Sequence, residues 1–266
     1  MHLGIGSYTF TWAVGVPGAA RTGKPMTAED LLAQAQELGV SVVQLCDNIP
    51  LDNQPASLLA RLGARAQAAG IALEVGTRGT QPDHLLRYLE IANSLGARLV
   101  RSMILATMAE AETDIRAVLP EYEKSAMVLA IENYEKHSVI SLADMIVRIG
   151  TPFLGACLDT VNSLGCLETP REAIAALLPH TANLHIKDFD IVRADSRMGF
   201  SVVGTPAGKG RLQVPELLDA ARNNGRDPNA ILELWTPPAA TVEETVARES
   251  RWARESISFL RRYIQS

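Results

Sequence analysis

The sequence predicts a (β/α)8 barrel, a single domain over residues 1–266. Three observations predict it. Short apolar runs rich in Val, Ile and Leu alternate with stretches of helical period, as βα units around a parallel sheet require. Eight such runs occur, the number that a closed barrel needs. No linker rich in Pro, Gly and Ser divides them, which favours one closed barrel over an open sheet or two small domains.

The predicted strands, in order, are HLGIGSY, GVSVVQLC, GIALEVGT, GARLVRSM, MVLAIENY, FLGACLD, ANLHIKDF and AILELW. Between the first two, TAEDLLAQAQELG reads as a helix, with Thr27 and Asp30 in a capping-box pattern and Gly39 as its stop. ASLLARLGARAQAAG, PDHLLRYLEIANSLG, a segment from Glu110 to Ala126, SLADMIVRIG and TPREAIAALLPH follow as helices. Residues 13–26 and 189–210 lack either period. Long βα loops build the active-site face of such barrels, so both are predicted lids.

Hydrophobic residues make up 47% of the chain and charged residues 21%, so a folded globular domain is expected rather than a disordered one. The net charge of -5, without clustered Lys or Arg, points to a small-molecule partner and away from nucleic acid. Cys46, Cys157 and Cys166 form no CxxC pair, so neither a disulfide framework nor a thiolate zinc site is expected, and a reducing cytoplasm suits them. No export signal and no apolar run of about 18 residues is found, and no membrane partner is expected.

Glu132 closes MVLAIENY, Asp159 closes FLGACLD, His185 lies in NLHIKDF and Glu233 in ILELW. Four consecutive strands thus each carry one metal-compatible side chain near the C-terminal end. The intervals are 27, 26 and 48 residues, the first two matching one βα repeat and the third lengthened by the stretch at 189–210. Three carboxylates and an imidazole suit one hard divalent ion, Mn2+ first, with Mg2+ or Co2+ as alternatives. Residues two apart on a strand share a face, so Lys187 points with His185 into the barrel mouth, and Trp235 with Glu233.

The set IENYEKH, GACLDTVNSLG, NLHIKDFD, GKGRLQVPELL and ILELW resembles the xylose isomerase-like TIM barrel superfamily over nearly the whole chain. That resemblance implies that Glu132, Asp159, His185 and Glu233 bind the metal and that Glu132 and Glu233 also move protons as acid and base. It implies an isomerase or epimerase of a small keto sugar working through a metal-stabilised enediolate. One departure stands out: many members carry His three residues after the aspartate, whereas here the residue is Asn162, which hydrogen-bonds but transfers no proton near neutral pH. The opening GSYTFTWAVGVPG and the later LCDNIPL resemble a branch with decarboxylases of branched 3-oxo sugar acids such as 3-oxo-isoapionate, which is the alternative reading. A non-catalytic sugar-binding subunit is the second. The superfamily's DNA-repair endonucleases use many histidines, and this chain has five. Self-association as a homo-dimer or homo-tetramer is implied by family analogy alone.

Candidate substrate contacts are Lys187, Asn162, Trp235, Glu74 and Trp12. Lys187 meets a substrate oxyanion or carboxylate, or else pairs with Asp188 or Asp190. Glu74 either contacts substrate hydroxyls or forms a buried ion pair. Tyr8, Phe10 and Trp12 alternate on one face at the end of the first strand, as a pocket wall or as core. Arg78, Arg101, Arg193 and Lys209 default to surface charges, each with the alternative of binding an anionic substrate group.

Overall fold

The computed structural model describes every residue except 20–22, 195, 197, 224, 226, 265 and 266. Eight strands form its centre: β1 (Leu3–Gly6), β2 (Val42–Leu45), β3 (Ala72–Gly76), β4 (Leu99–Met103), β5 (Val128–Glu132), β6 (Leu154–Asp159), β7 (Thr181–Ile186) and β10 (Asn229–Leu232). They pair in the closed order β1-β10-β7-β6-β5-β4-β3-β2, and every pairing is parallel. This is the barrel that the eight apolar runs predict.

Helices cover its outside: α1 (Thr11–Val14), α2 (Ala28–Leu38), α3 (Ala56–Ala68), α4 (Pro82–Leu95), α5 (Met108–Lys124), α6 (Val139–Ile149), α7 (Pro170–Leu177), α8 (Val214–Asn223) and α9 (Val242–Leu260). The capping box of α2 forms as read: Thr27 Oγ1 accepts from the Asp30 amide, and Asp30 Oδ2 accepts from the Thr27 amide at 2.9 Å. Gly39 ends the helix at φ 61°, a left-handed conformation that glycine adopts without strain. The apolar stripes of the helices bury Leu31, Leu32, Leu85, Ile91, Ile115 and Ile257 against the sheet, and this shell between sheet and helices is the main core. No helix of the described residues is long and apolar enough to cross a membrane.

Two expectations change. The alternation of Tyr8, Phe10 and Trp12 does not survive, because β1 stops at Gly6 and a 3-10 turn over Ser7–Phe10 leads into α1. Remote partners impose this turn: Thr9 Oγ1 donates to the Leu232 carbonyl, and the buried Glu249 of α9 accepts the amides of Trp12 and Ala13 at 3.0 and 3.1 Å. Likewise ANLHIKDF is not one strand. Thr160 takes both backbone groups of Lys187, and the chain leaves the barrel there.

The stretch 189–210, read as irregular, is largely an antiparallel hairpin of β8 (Asp188–Arg193) and β9 (Phe200–Thr205). Buried Asp188 ties its base down by accepting the amides of Phe189, Gly208, Gly210 and Leu212 at 2.8 to 3.0 Å. Residue 210 must be glycine, since a Cβ there would stand 2.3 Å from Asp188 Oδ1. Parts of both predicted lids, residues 20–22, 195 and 197, lie outside the described residues.

Candidate metal centre

Parallel pairing brings the C-terminal ends of β5, β6, β7 and β10 together, with Asp159 level with His185 across one ladder. Glu132 and Asp159 end their strands, His185 lies one residue before the end of β7, and Glu233 follows β10 directly. All four are buried. His185 Nδ1 stands 3.4 Å from Glu233 Oε1, 3.6 Å from Glu132 Oε2 and 3.9 Å from Asp159 Oδ2.

Each of these side chains is held by one atom and leaves another in the shared cluster around His185 Nδ1. Asp159 Oδ1 accepts the amides of Val161 and Asn162, both at 2.8 Å, in a turn that aims Oδ2 inward. Glu132 Oε1 accepts from Asn162 Nδ2 at 2.7 Å. His185 Nε2 donates to Gln44 Oε1 at 2.8 Å. Glu233 Oε2 lies 2.9 Å from Lys187 Nζ. Of the remaining atoms, His185 Nδ1 and Glu233 Oε1 are buried with no hydrogen-bond partner, which costs free energy unless something fills the space beside them. Glu132 Oε2 and Asp159 Oδ2 meet only the Arg101 and Lys187 cations, at 2.7 and 2.8 Å. A divalent cation fits, since bonds of about 2.1 Å place neighbouring ligand atoms roughly 3 Å apart, close to the separations here.

Charge supports the same reading. Burial pushes the Glu132 carboxyl well up, opposed by the Arg101 guanidinium, whose Nε lies 2.7 Å from Glu132 Oε2. Burial, with Arg101 adding to it, holds His185 well below its ordinary value, so the ring is neutral and able to ligate. Burial also works against the charge on Lys187, but Asp159, Glu233 and Glu132 outweigh it and the ammonium persists. Among the described residues, Asp159, His185 and Glu233 meet the spacing for a metal, and so do Glu132, Cys157 and His185. Burial pushes the Cys157 thiol far up, and its Sγ donates to Asn183 Oδ1 at 3.5 Å, so the oxygen and nitrogen donors make the better set.

Lys187, Asn162 and Trp235, all expected at the substrate, line a cavity of about 540 Å3 together with Tyr8, Leu234 and Val202 of the hairpin, and Lys187 and Asn162 connect its wall to Asp159, Glu233 and Glu132 behind it. Lys187 pairs with Asp159 at 2.8 Å and with Glu233, not with Asp188 or Asp190. Trp12 instead lines an adjoining cavity of about 380 Å3 and donates Nε1 to the Thr236 carbonyl at 2.9 Å. Glu74 is corrected: it lies in the barrel interior, 3% exposed, and its carboxylate accepts from Gln44, Asn183 and Asn229 rather than facing that cavity. Arg101 is corrected as well. It is 1% exposed, beside Glu132 and Asp47, and no surface charge. Strand parity was the missed signal, since Leu99, Arg101 and Met103 share a face in a strand buried throughout. Gln44 was also missed, for the same reason.

Comparison with known proteins shows the family and the fold. The sequence profile of the xylose isomerase-like TIM barrel family matches residues 25–263. A 3-oxo-isoapionate decarboxylase of Pectobacterium atrosepticum is 36% identical over 265 residues, which are 98% of this chain and 95% of that protein. A D-psicose 3-epimerase crystallised in the presence of D-fructose superimposes with a TM-score of 0.74 at 15% identity, each chain covered in full. A xylose isomerase-like barrel of Mycobacterium smegmatis in complex with magnesium gives 0.70 at 15% identity, with 97% of each chain covered. At such identities the two structures speak for the fold, while the sequence matches over almost the entire chain speak for descent. The chain belongs to the xylose isomerase-like TIM barrel family of enzymes.

Proposed function

We propose that this protein is a divalent-metal-dependent decarboxylase of a branched 3-oxo sugar acid, with Glu132, Asp159, His185 and Glu233 as ligands and Mn2+ as the first choice of metal. The observation that carries this reading is the state of Glu132. Asn162 holds one of its oxygens and Arg101 stands against the other. An isomerase or epimerase, the first expectation from sequence, needs two carboxylates that each move a proton, and a carboxylate fixed on both sides is poorly placed to do so. Decarboxylation asks less. The bond from the alpha carbon to the leaving carboxylate breaks, its electron pair passes into the 3-oxo group as CO2 departs, and one proton returns to that carbon.

Glu132, Asp159, His185 and Glu233 would hold the cation, which would supply Lewis-acid stabilisation for the charge that develops on the ketone oxygen. Lys187 bears the proton. Its ammonium stays charged, reaches the cavity wall and is 18% exposed by its side chain, so it can attract the substrate carboxylate, protonate the carbon after CO2 loss and recover its proton from water. Trp235 and Leu234 give the cavity an apolar wall beside these charges. The 36% identity with a 3-oxo-isoapionate decarboxylase supports the same reading.

The test supplies Mn2+-loaded protein with 3-oxo sugar acids and, separately, with keto sugars in D2O. Release of CO2 from the acids is expected, without deuterium exchange in the sugars. Exchange into keto sugars with no CO2 from any 3-oxo acid would restore the isomerase or epimerase reading. Lys187→Met should lower kcat by about 10²- to 10⁴-fold, the range for loss of a positioned acid, while Mn2+ still binds. Undiminished kcat would remove Lys187 from the proton step.

A further inference from the structure

In the barrel interior, beside His185, stands a group of polar side chains that are not among those lining the cavity: Gln44, Glu74, Asn183 and Asn229. Glu74 is its centre. Oε2 accepts from Gln44 Nε2 at 3.0 Å and Asn183 Nδ2 at 2.7 Å, and Oε1 accepts from Asn229 Nδ2 at 2.7 Å. The second hydrogen on Gln44 Nε2 goes to Asn183 Oδ1 at 3.1 Å. With both amide hydrogens occupied, Gln44 has only Oε1 left to present to His185 Nε2, and Cys46 Sγ adds a second donor to that oxygen at 3.2 Å. An amide oxygen only accepts, so Nε2 must carry the ring proton and Nδ1 the lone pair. Nδ1 is the atom that faces the three carboxylates.

We propose that Glu74 is a positioning residue of the metal centre, which acts through Gln44 to hold His185 in the Nε2–H tautomer and so leaves Nδ1 to bind the cation. Metal-bound histidines commonly donate their second nitrogen to a carboxylate or carbonyl; here an amide side chain stands between the carboxylate and the ring. Three amide donors converge on residue 74, and only a group that accepts and does not donate satisfies them all. Glutamine there would bring an NH2 into a nest of donors. Gln44 would then turn over to accept from it, present its own NH2 to His185 Nε2, and force the ring proton onto Nδ1, where it blocks ligation.

The proposal rests on the four-ligand centre proposed above, and its test separates the two. In metal-free wild-type protein, long-range 1H–15N correlation should show the His185 proton on Nε2; a proton on Nδ1 overturns the proposal with no variant required. By calorimetric titration, Glu74→Gln should bind Mn2+ about 10- to 100-fold more weakly than wild type, with the ring proton moved to Nδ1. Combining Glu74→Gln with Gln44→Glu moves the carboxylate one step toward His185 and should restore both the affinity and the tautomer, which a merely structural plug would not do. A folded Glu74→Gln variant with wild-type affinity and tautomer overturns the relay. Should that variant fail to fold, the swapped pair and the wild-type tautomer decide. A wild-type protein that takes up no Mn2+ or Mg2+ would overturn the four-ligand centre instead.

Discussion

His185→Ala is expected to lose CO2 release by at least about 10³-fold, because the charge stabilisation supplied by a bound cation is worth several kcal/mol and each 1.4 kcal/mol is a factor of ten. The same variant should lose the thermal shift that a cation gives the wild type. A ligand at about a thousand times its Kd stabilises the folded state by about 4 kcal/mol, which in a chain of this size raises the melting temperature by roughly 10 °C. A chelator should abolish both activity and shift, and Mn2+ should restore both. Direction with pH follows from the ligands. The cation binds deprotonated carboxylates and neutral imidazole, and burial holds Glu132 in its protonated form to higher pH than usual, so cation binding releases protons and weakens as pH falls. A wild-type protein whose melting point ignores every divalent ion would sink the centre, whatever its activity.

The convergence of Glu132, Asp159, His185 and Glu233 was legible because barrel geometry writes strand ends at a fixed interval. Glu132, Asp159 and His185 recur at 27 and 26 residues, one βα unit apart, and the gap of 48 to Glu233 holds the β8–β9 hairpin and α8. Depth and partner were not legible. Parity placed Glu74 inside but not at which level of the barrel, and that level separates a substrate contact from a support for Gln44. The turn after β1 was illegible for another reason: its deciding partner, Glu249, stands 237 residues from Trp12, and no local pattern reports such a bond. Lys187 was half legible. Its inward face followed from alternation, whereas its choice of Asp159 and Glu233 over Asp188 depended on Thr160 breaking the strand and on Asp188 being fully engaged with backbone amides.

Arg101→Met should destabilise the metal-free protein by about 3–5 kcal/mol, the usual cost of removing one partner from a buried ion pair. The loss is measured by urea unfolding at a pH above the raised Glu132 value of about 8, where the pair is fully charged. Methionine keeps the apolar stem and close to the same volume, so little of this loss comes from packing. Two other effects compete. Burying a guanidinium is itself expensive, and its removal returns that cost; but Glu132, 3% exposed, is then left without its nearest cation, and Asp47 and the Thr77 carbonyl each lose a donor. The stranded carboxylate outweighs the relief. The double variant Arg101→Met with Glu132→Met removes both charges and should recover most of the stability, since replacing a whole buried pair by apolar residues is often near neutral. Saturating Mn2+ adds an independent arm. If Glu132 Oε2 is a ligand, the cation takes over part of the work of Arg101, and the loss caused by Arg101→Met shrinks when Mn2+ is present; an equal loss with and without Mn2+ would remove Glu132 from the ligand set while leaving the other three in place.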